Sequence, residues 1–173
     1  DIPFLSNIGL MLTYKCSVAC PHCIVEAGPH RKEMMLLEDS FAWTLEASAY
    51  RDQHIKGLAL TGGEPFFDME NLKSVSEHGK KLGFVISVVT NAFWAGTKES
   101  ALEVLSQVPA IQMISFSTDV YHLKSIPFEN IKNGIWAANQ LGLLYNIAVC
   151  TDSEEDEQYK KIIKELSMIT DKN

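Results

Sequence analysis

The sequence predicts a parallel α/β fold. Short continuous apolar runs alternate with stretches of helical periodicity. After the first strand, strand starts recur about every 30 residues, the length of a βαβ unit. Glycine, proline and Asx residues fall between the runs, where turns are needed. Apolar strands covered by helices on a face make a parallel sheet. At 173 residues the chain is expected to form a single domain over 1–173.

Ile8–Tyr14 is a short apolar run that reads as a buried strand. A cysteine-rich loop follows, through Gly28-Pro29 to about Met35. Glu38–Gln53 reads as a helix, with Leu37, Phe41, Leu45 and Ala49 four apart on one apolar face. Residues 57–60 form the second strand. Asp68–Leu82 is a helix started by Asp68 and closed by Gly83. Phe84–Val89 is a β-branched strand. Thr97–Gln107 is a helix with Thr97 as N-cap, ended by Pro109. Ile111–Phe116 is the fourth strand, and Phe128–Leu141 is a helix closed by Gly142. Leu143–Val149 is the fifth strand. Ser153–Met168 is the last helix; its acidic start and later lysines suit the helix dipole.

Composition narrows the function. The apolar fraction is 46%, enough for an ordinary globular core. The net charge is −7 and no Lys/Arg cluster stands out, which disfavours a nucleic-acid surface. No apolar run approaches the ~20 residues of a membrane span. Cysteines without a secretion signal point to the cytoplasm. The chain opens on Asp1 and not on an initiating methionine, so its first residue is not expected to be a natural start, and its tail from Thr170 to Asn173 reads as frayed.

Three of the four cysteines, Cys16, Cys20 and Cys23, stand at a C-x3-C-x2-C spacing. Thiolates are soft ligands that suit iron–sulfur clusters, zinc or Cu(I). Pro21 excludes a regular strand through the motif. Three sulfurs are one fewer than a closed four-cysteine site needs. A fourth ligand therefore comes from elsewhere, or one position stays open for chemistry. Other readings compete. Cys20-Pro21-His22-Cys23 matches a C-x-x-C redox motif, which leaves Cys16 unused. A structural zinc completed by His22 or His30 is another, although His22 sits between two ligands. Cys150, far from the triad, reads as a buried small hydrophobe.

In parallel sheets, ligands gather at the carboxyl ends of the strands. The unusual residues of this chain fall there. Thr61-Gly62-Gly63-Glu64-Pro65 follows the second strand. Paired glycines turn the backbone sharply and expose its polar groups. Thr90-Asn91-Ala92 follows the third strand and Ser117-Thr118-Asp119 the fourth. Each is also the composition of a plain Asx or ST turn. Tyr121 and His122 stand beside them and are candidates for substrate contact or proton transfer, or for a packed aromatic pair. His54 and His78 read as helix-end surface residues.

Taken together, these motifs resemble radical S-adenosylmethionine (SAM) enzymes. The resemblance rests on Cys16-x3-Cys20-x2-Cys23, Gly62-Gly63-Glu64-Pro65, Thr90-Asn91 and Ser117-x-Asp119, and covers about residues 8–152. His22 stands where the family carries an aromatic residue before the last cysteine. The resemblance departs at Ala92, where the family often carries glycine, and in length.

The resemblance implies a partial parallel barrel of six βα units, of which five are visible and the sixth is missing or truncated. It implies that Cys16, Cys20 and Cys23 bind three irons of a [4Fe-4S] cluster whose fourth iron is chelated by SAM. His22, Gly62, Gly63, Glu64, Asn91, Ser117 and Asp119 would line the SAM site, with Ile147 and Val149 as an apolar wall. The implied reaction is reductive cleavage of SAM to a 5′-deoxyadenosyl radical, which abstracts a hydrogen atom. The pattern looks most like peptide-modifying members, with glycyl-radical activating enzymes as the close alternative and small-molecule substrates also open. The implied partners are a peptide or protein substrate and a one-electron reductant such as flavodoxin or ferredoxin. The alternative of another class is a non-catalytic scaffold of the same fold that binds a cluster or zinc. The outcome after hydrogen abstraction is not legible in these residues.

Overall fold

The computed structural model describes residues 6–50 and 54–170. Five parallel strands form one sheet: β1 (Asn7–Met11), β2 (Gly57–Thr61), β3 (Val85–Thr90), β4 (Met113–Ser117) and β5 (Leu144–Ala148). Their spatial order is their chain order, β1-β2-β3-β4-β5. Each crossover therefore steps to the next strand in one direction. That is the progression of a barrel, without the strand-order reversal of a doubly wound sheet. Closure would require β1 to meet β5, and it does not, so the sheet stays open at both edges. No sixth strand occurs among the described residues.

The helices are α1 (Leu37–Ser48), α2 (Met69–Lys81), α3 (Lys98–Ser106), α4 (Phe128–Gln140) and α5 (Glu157–Thr170). Strand side chains alternate. Leu58, Leu60, Ile86, Val88, Ile114 and Phe116 are fully buried. Ala59, Ser87, Val89, Met113 and Ser115 point the other way and stay half-buried. The buried set meets the helices very closely: a Cβ on Gly79 of α2 would stand 2.6 Å from the Leu58 side chain. Burying these large aliphatic side chains contributes about 1.5–3 kcal/mol each, and it fixes the helices to one face. The strand ends are thereby left free for chemistry.

Helix signals held where capping chemistry was explicit. Asp68 caps α2 by accepting from Asn71 N at 3.2 Å. Thr97 and Ser100 form a reciprocal capping box on α3. The last helix begins later than expected. Residues 153–156 form a turn, and Asp156 caps α5 by accepting from Gln158 N and Tyr159 N.

Three expectations are corrected. The buried face of α1 is Ser40, Thr44 and Ala47, with Phe41 at its margin, while Leu37 and Leu45 are exposed. The hydroxyls of Ser40 and Thr44 bond back to Leu36 O and Ser40 O. Satisfied in this way, these small side chains pack inward without an unpaired polar group. His78 is half-buried and stacks on Phe41 with ring centroids 4.4 Å apart. Cys150 is exposed, because it leaves the uncovered edge strand β5 and no further strand lies over it among the described residues. Helix α1 also stops earlier than the expected end at Gln53: Ser48 is its last residue, and Ala49 and Tyr50 form a turn. Gln53 itself and the tail beyond Thr170 lie outside the described residues.

Candidate active site

The predicted first strand splits in two. Residues 7–11 pair with β2, but the chain from Leu12 to Tyr14 also takes an antiparallel partner. Met35 N donates to Leu12 O at 2.8 Å, and Tyr14 N donates to Glu33 O at 2.9 Å. The returning end of the cysteine loop thus ties down its own entry. A second tie closes inside it: Gly28 N donates to Tyr14 O and Cys16 N to Gly28 O, both at 3.2 Å. Arg31 fastens the rim, pairing with Glu33 at 2.9 Å and lying over the Tyr14 ring. Within this frame Cys23 N donates to Cys20 O, forming a tight turn between two of the thiols. A small apolar cluster of Cys16, Val18, Ala27 and Ile126 supports the loop from beneath.

Cys16, Cys20 and Cys23 line one cavity with His22, Gly62, Gly63, Asn91 and Ser117. The sheet register brings these loops together, since each lies at the carboxyl end of a strand or just past it. Thr61, Val89, Thr90, Val18, Ala27 and His122 share the lining. The two threonines open the strand-end motifs and end their strands. Val18 and Ala27 carried no signal in the sequence.

Gly62 and Gly63 are required by contact as well as by turn geometry. Gly62 has φ +152°, and a Cβ there would stand 2.4 Å from Thr13 O. Gly63 N donates to Thr13 O at 2.6 Å, and Glu64 N to Lys15 O at 2.8 Å. The turn is therefore docked on the entry of the cysteine loop. The Gly63 and Glu64 N–H groups are spent there, and among the described residues no donor reaches the Gly62 or Gly63 carbonyl.

Glu64 lies elsewhere than its backbone suggests. Its side chain is fully buried, and its carboxylate accepts from Phe66 N, Thr90 Oγ1 and Asn91 N at 3.2, 2.9 and 2.8 Å. Burial pushes this carboxyl up to about 7, against the pull of those donors. Its side chain thus acts as a brace between the second and third strand-end loops. Ala92 has φ +61°, the left-handed region where the related glycine would be relaxed.

Asp119 is almost fully buried. Its Oδ1 accepts from Tyr121 N and His122 N, both at 2.9 Å. Its Oδ2 faces His122 Nδ1 at 2.9 Å and His22 Nε2 at 3.7 Å. His22 in turn lies against Tyr121 with ring centroids 4.4 Å apart, and Tyr121 Oη donates to Asp152. Asp119 therefore links the cysteine loop to the turn after β4. Burial acts to raise its carboxyl, but hydrogen bonds and the charge of His122 outweigh it and hold the carboxyl below the usual range.

The donor set fits a thiolate-bound metal cluster. Cys23 Sγ accepts from Ala27 N and Cys16 Sγ from Asn91 Nδ2, each at 3.4 Å. Such N–H donors suit a charged sulfur ligand. His22 Nδ1 is buried in the cavity wall with no partner among the described residues. In the metal-free protein burial raises the Cys16 and Cys20 thiols, Cys20 to about 11 with help from neighbouring Cys16 and Asp119. A bound cation reverses that preference and deprotonates coordinating thiols outright.

The radical SAM superfamily model matches residues 10–166, and the chain belongs to that family. Its cofactors are a [4Fe-4S] cluster and SAM. The chain is also 26% identical over 129 residues to YydG of Bacillus subtilis (strain 168), which is named as a peptide biosynthesis protein. That match covers 73% of this chain and 40% of YydG, so the chain spans less than half of that relative's length. Among solved structures, BtrN in complex with AdoMet and 2-DOIA aligns with a TM-score of 0.52 at 15% identity. The alignment covers 85% of this chain and 58% of BtrN, and it shows a shared fold. Among the described residues no helix is long and apolar enough to cross a membrane.

Proposed function

We propose that this chain is the SAM-cleaving core of a radical enzyme acting on a peptide. Cys16, Cys20 and Cys23 hold the cluster, and SAM occupies the adjoining strand-end cavity. The observation that carries this reading is the convergence of three thiols with Gly62, Gly63, Asn91 and Ser117 on one cavity. When bound, the cluster and SAM together supply a 5′-deoxyadenosyl radical that takes a hydrogen atom from the substrate.

The chain's own residues bind and orient. The open carbonyls of Gly62 and Gly63 accept from the SAM amino group, and the Ser117 hydroxyl donates to a SAM oxygen. The backbone is held rigid there by its bonds to Thr13 and Lys15, so the acceptors need no rearrangement on binding. His22 covers one side of the cavity, positioned by Asp119 and Tyr121. No acid or base is needed to cleave SAM, because the cofactor carries the hard chemistry. The peptide substrate is supported by the similarity to YydG. A flavodoxin or ferredoxin supplies the electron, and an oxygen-sensitive site of this kind suits the cytoplasm.

The test is anaerobic reconstitution with iron and sulfide, reduction in the presence of SAM, and assay of 5′-deoxyadenosine by mass spectrometry. Cluster absorbance with product formation is expected. Bound zinc in place of a cluster would overturn the reading. A stable cluster that leaves SAM intact under a strong reductant would point to the scaffold alternative.

A further inference from the structure

We propose that Asn91 is a donor to the Cys16 sulfur that sets the cluster's reduction potential, and not a SAM ligand. The side-chain amide is oriented by its surroundings. Its Oδ1 accepts from Phe93 N at 3.0 Å, which turns the Nδ2 end toward the cysteine loop. Both amide hydrogens are then directed at that loop, to Cys16 Sγ at 3.4 Å and Ser17 Oγ at 3.2 Å. An amide offers two donor hydrogens, so none is left for a ligand.

The support behind Asn91 is unusually complete. Its backbone N–H is held by the buried Glu64 carboxylate at 2.8 Å. Thr90 donates to the same carboxylate and accepts from Ala92 N and Trp94 Nε1 at 3.1 and 2.9 Å. Asn91 itself is 5% exposed. Side chains locked this firmly hold geometry for another group. Asn91 and Cys16 are 75 residues apart in sequence, so this bond also joins the third strand-end loop to the first.

The electrostatics give the sign. Reduction adds negative charge to a cluster and its thiolates, and an N–H donor on a sulfur favours the more negative state. Hydrogen bonds to cluster sulfurs are among the factors that set potential. Asn91 thus raises the potential relative to a protein lacking it. Cys23 receives a backbone donor from Ala27, but the Cys16 donor is a side chain and so can be changed by mutation.

The inference rests on the triad holding a cluster, and the experiment separates the two ideas. Potentials are measured by electron-spin-resonance-monitored redox titration of the reconstituted protein without SAM, and SAM affinity is measured separately. The expected order of potentials is wild type, then Asn91→Ala, then Asn91→Asp, whose carboxylate faces the thiolate. SAM affinity changes little. If Asn91 instead binds SAM, Asn91→Ala leaves the SAM-free potential unchanged and loses affinity by about tenfold or more, as loss of a hydrogen bond to a charged group does. That result overturns the inference. A second measurement uses the wild-type protein and does not depend on the variants folding. Labelling asparagine with ¹⁵N should alter the nitrogen hyperfine coupling of the reduced, SAM-free cluster. A spectrum unchanged by the label also overturns the inference. Failure of the wild-type protein to form any cluster would instead overturn the function proposed above.

Discussion

Gly63 lies so close to Lys15 that a Cβ added to it would stand 2.3 Å from the Lys15 carbonyl oxygen. The obstacle is backbone on both sides, so neither partner yields cheaply. Gly63→Ala should destabilise the protein by about 1–3 kcal/mol, the usual cost of overpacking. Because Lys15 leads directly into Cys16, cluster loading should fall with it. Urea unfolding and iron content measure the two effects. Retention of both would mean that the turn is free to move away from the loop.

Iron binding should separate the four cysteines. Cys20→Ala should abolish the visible charge-transfer absorbance of the reconstituted protein, while Cys150→Ala leaves it intact. Cys150 is exposed beyond the edge strand, whereas the triad lines one cavity. Equal losses in the two variants would show that the ligand set is misassigned.

Glu64→Gln should remove a pH dependence and weaken the brace. The folded carboxyl is raised from 4.5 to about 7 by burial. It therefore binds its proton more tightly folded than unfolded. Its contribution is full below about 4.5 and is lost as pH rises through about 7. Glutamine abolishes that slope. It also offers one carbonyl where Phe66 N, Thr90 Oγ1 and Asn91 N need two oxygens. Leaving the Asn91 N–H without an acceptor should cost roughly 1–3 kcal/mol. Chemical denaturation across this pH range tests both statements, and an unchanged slope would contradict the first.

Thiol labelling of the metal-free protein should follow ionisation and exposure. The thiolate is the nucleophile. Cys20, raised to about 11 chiefly by burial, should alkylate slowly at mildly alkaline pH and gain about tenfold per pH unit below that value. Exposed Cys150 should label first. Peptide mapping after iodoacetamide treatment resolves the sites. Cys20 reacting as fast as Cys150 would show a thiol already ionised without metal.

Much of this site was legible because its parts are local. A thiol triad, a double-glycine turn and an Asx-rich turn each occupy a few consecutive residues. The alternation of strand and helix then assigned those stretches to strand ends. Thr97 was legible for the same reason, since a cap and its partner Ser100 lie three residues apart. The α1 face misled because Leu37 and Leu45 made an apolar stripe at helical spacing. Ser40 and Thr44 can pack inward only because backbone carbonyls one turn back accept their hydroxyls.

The sequence by itself determined the class of fold, the order of its elements and the residues available for cluster and cofactor chemistry. Those depend on periodicity and on spacing within short stretches. Tertiary structure decided where the side chains point. Glu64 belongs to a motif read as cofactor-lining, yet its carboxylate is turned inward onto Thr90 and Asn91. Asn91 bonds to Cys16 across 75 residues of chain. Cys150 faces outward because β5 is an edge. The physical reason is common to all three: a side chain's partners are set by which strands become neighbours, and that register exists only once the sheet has formed.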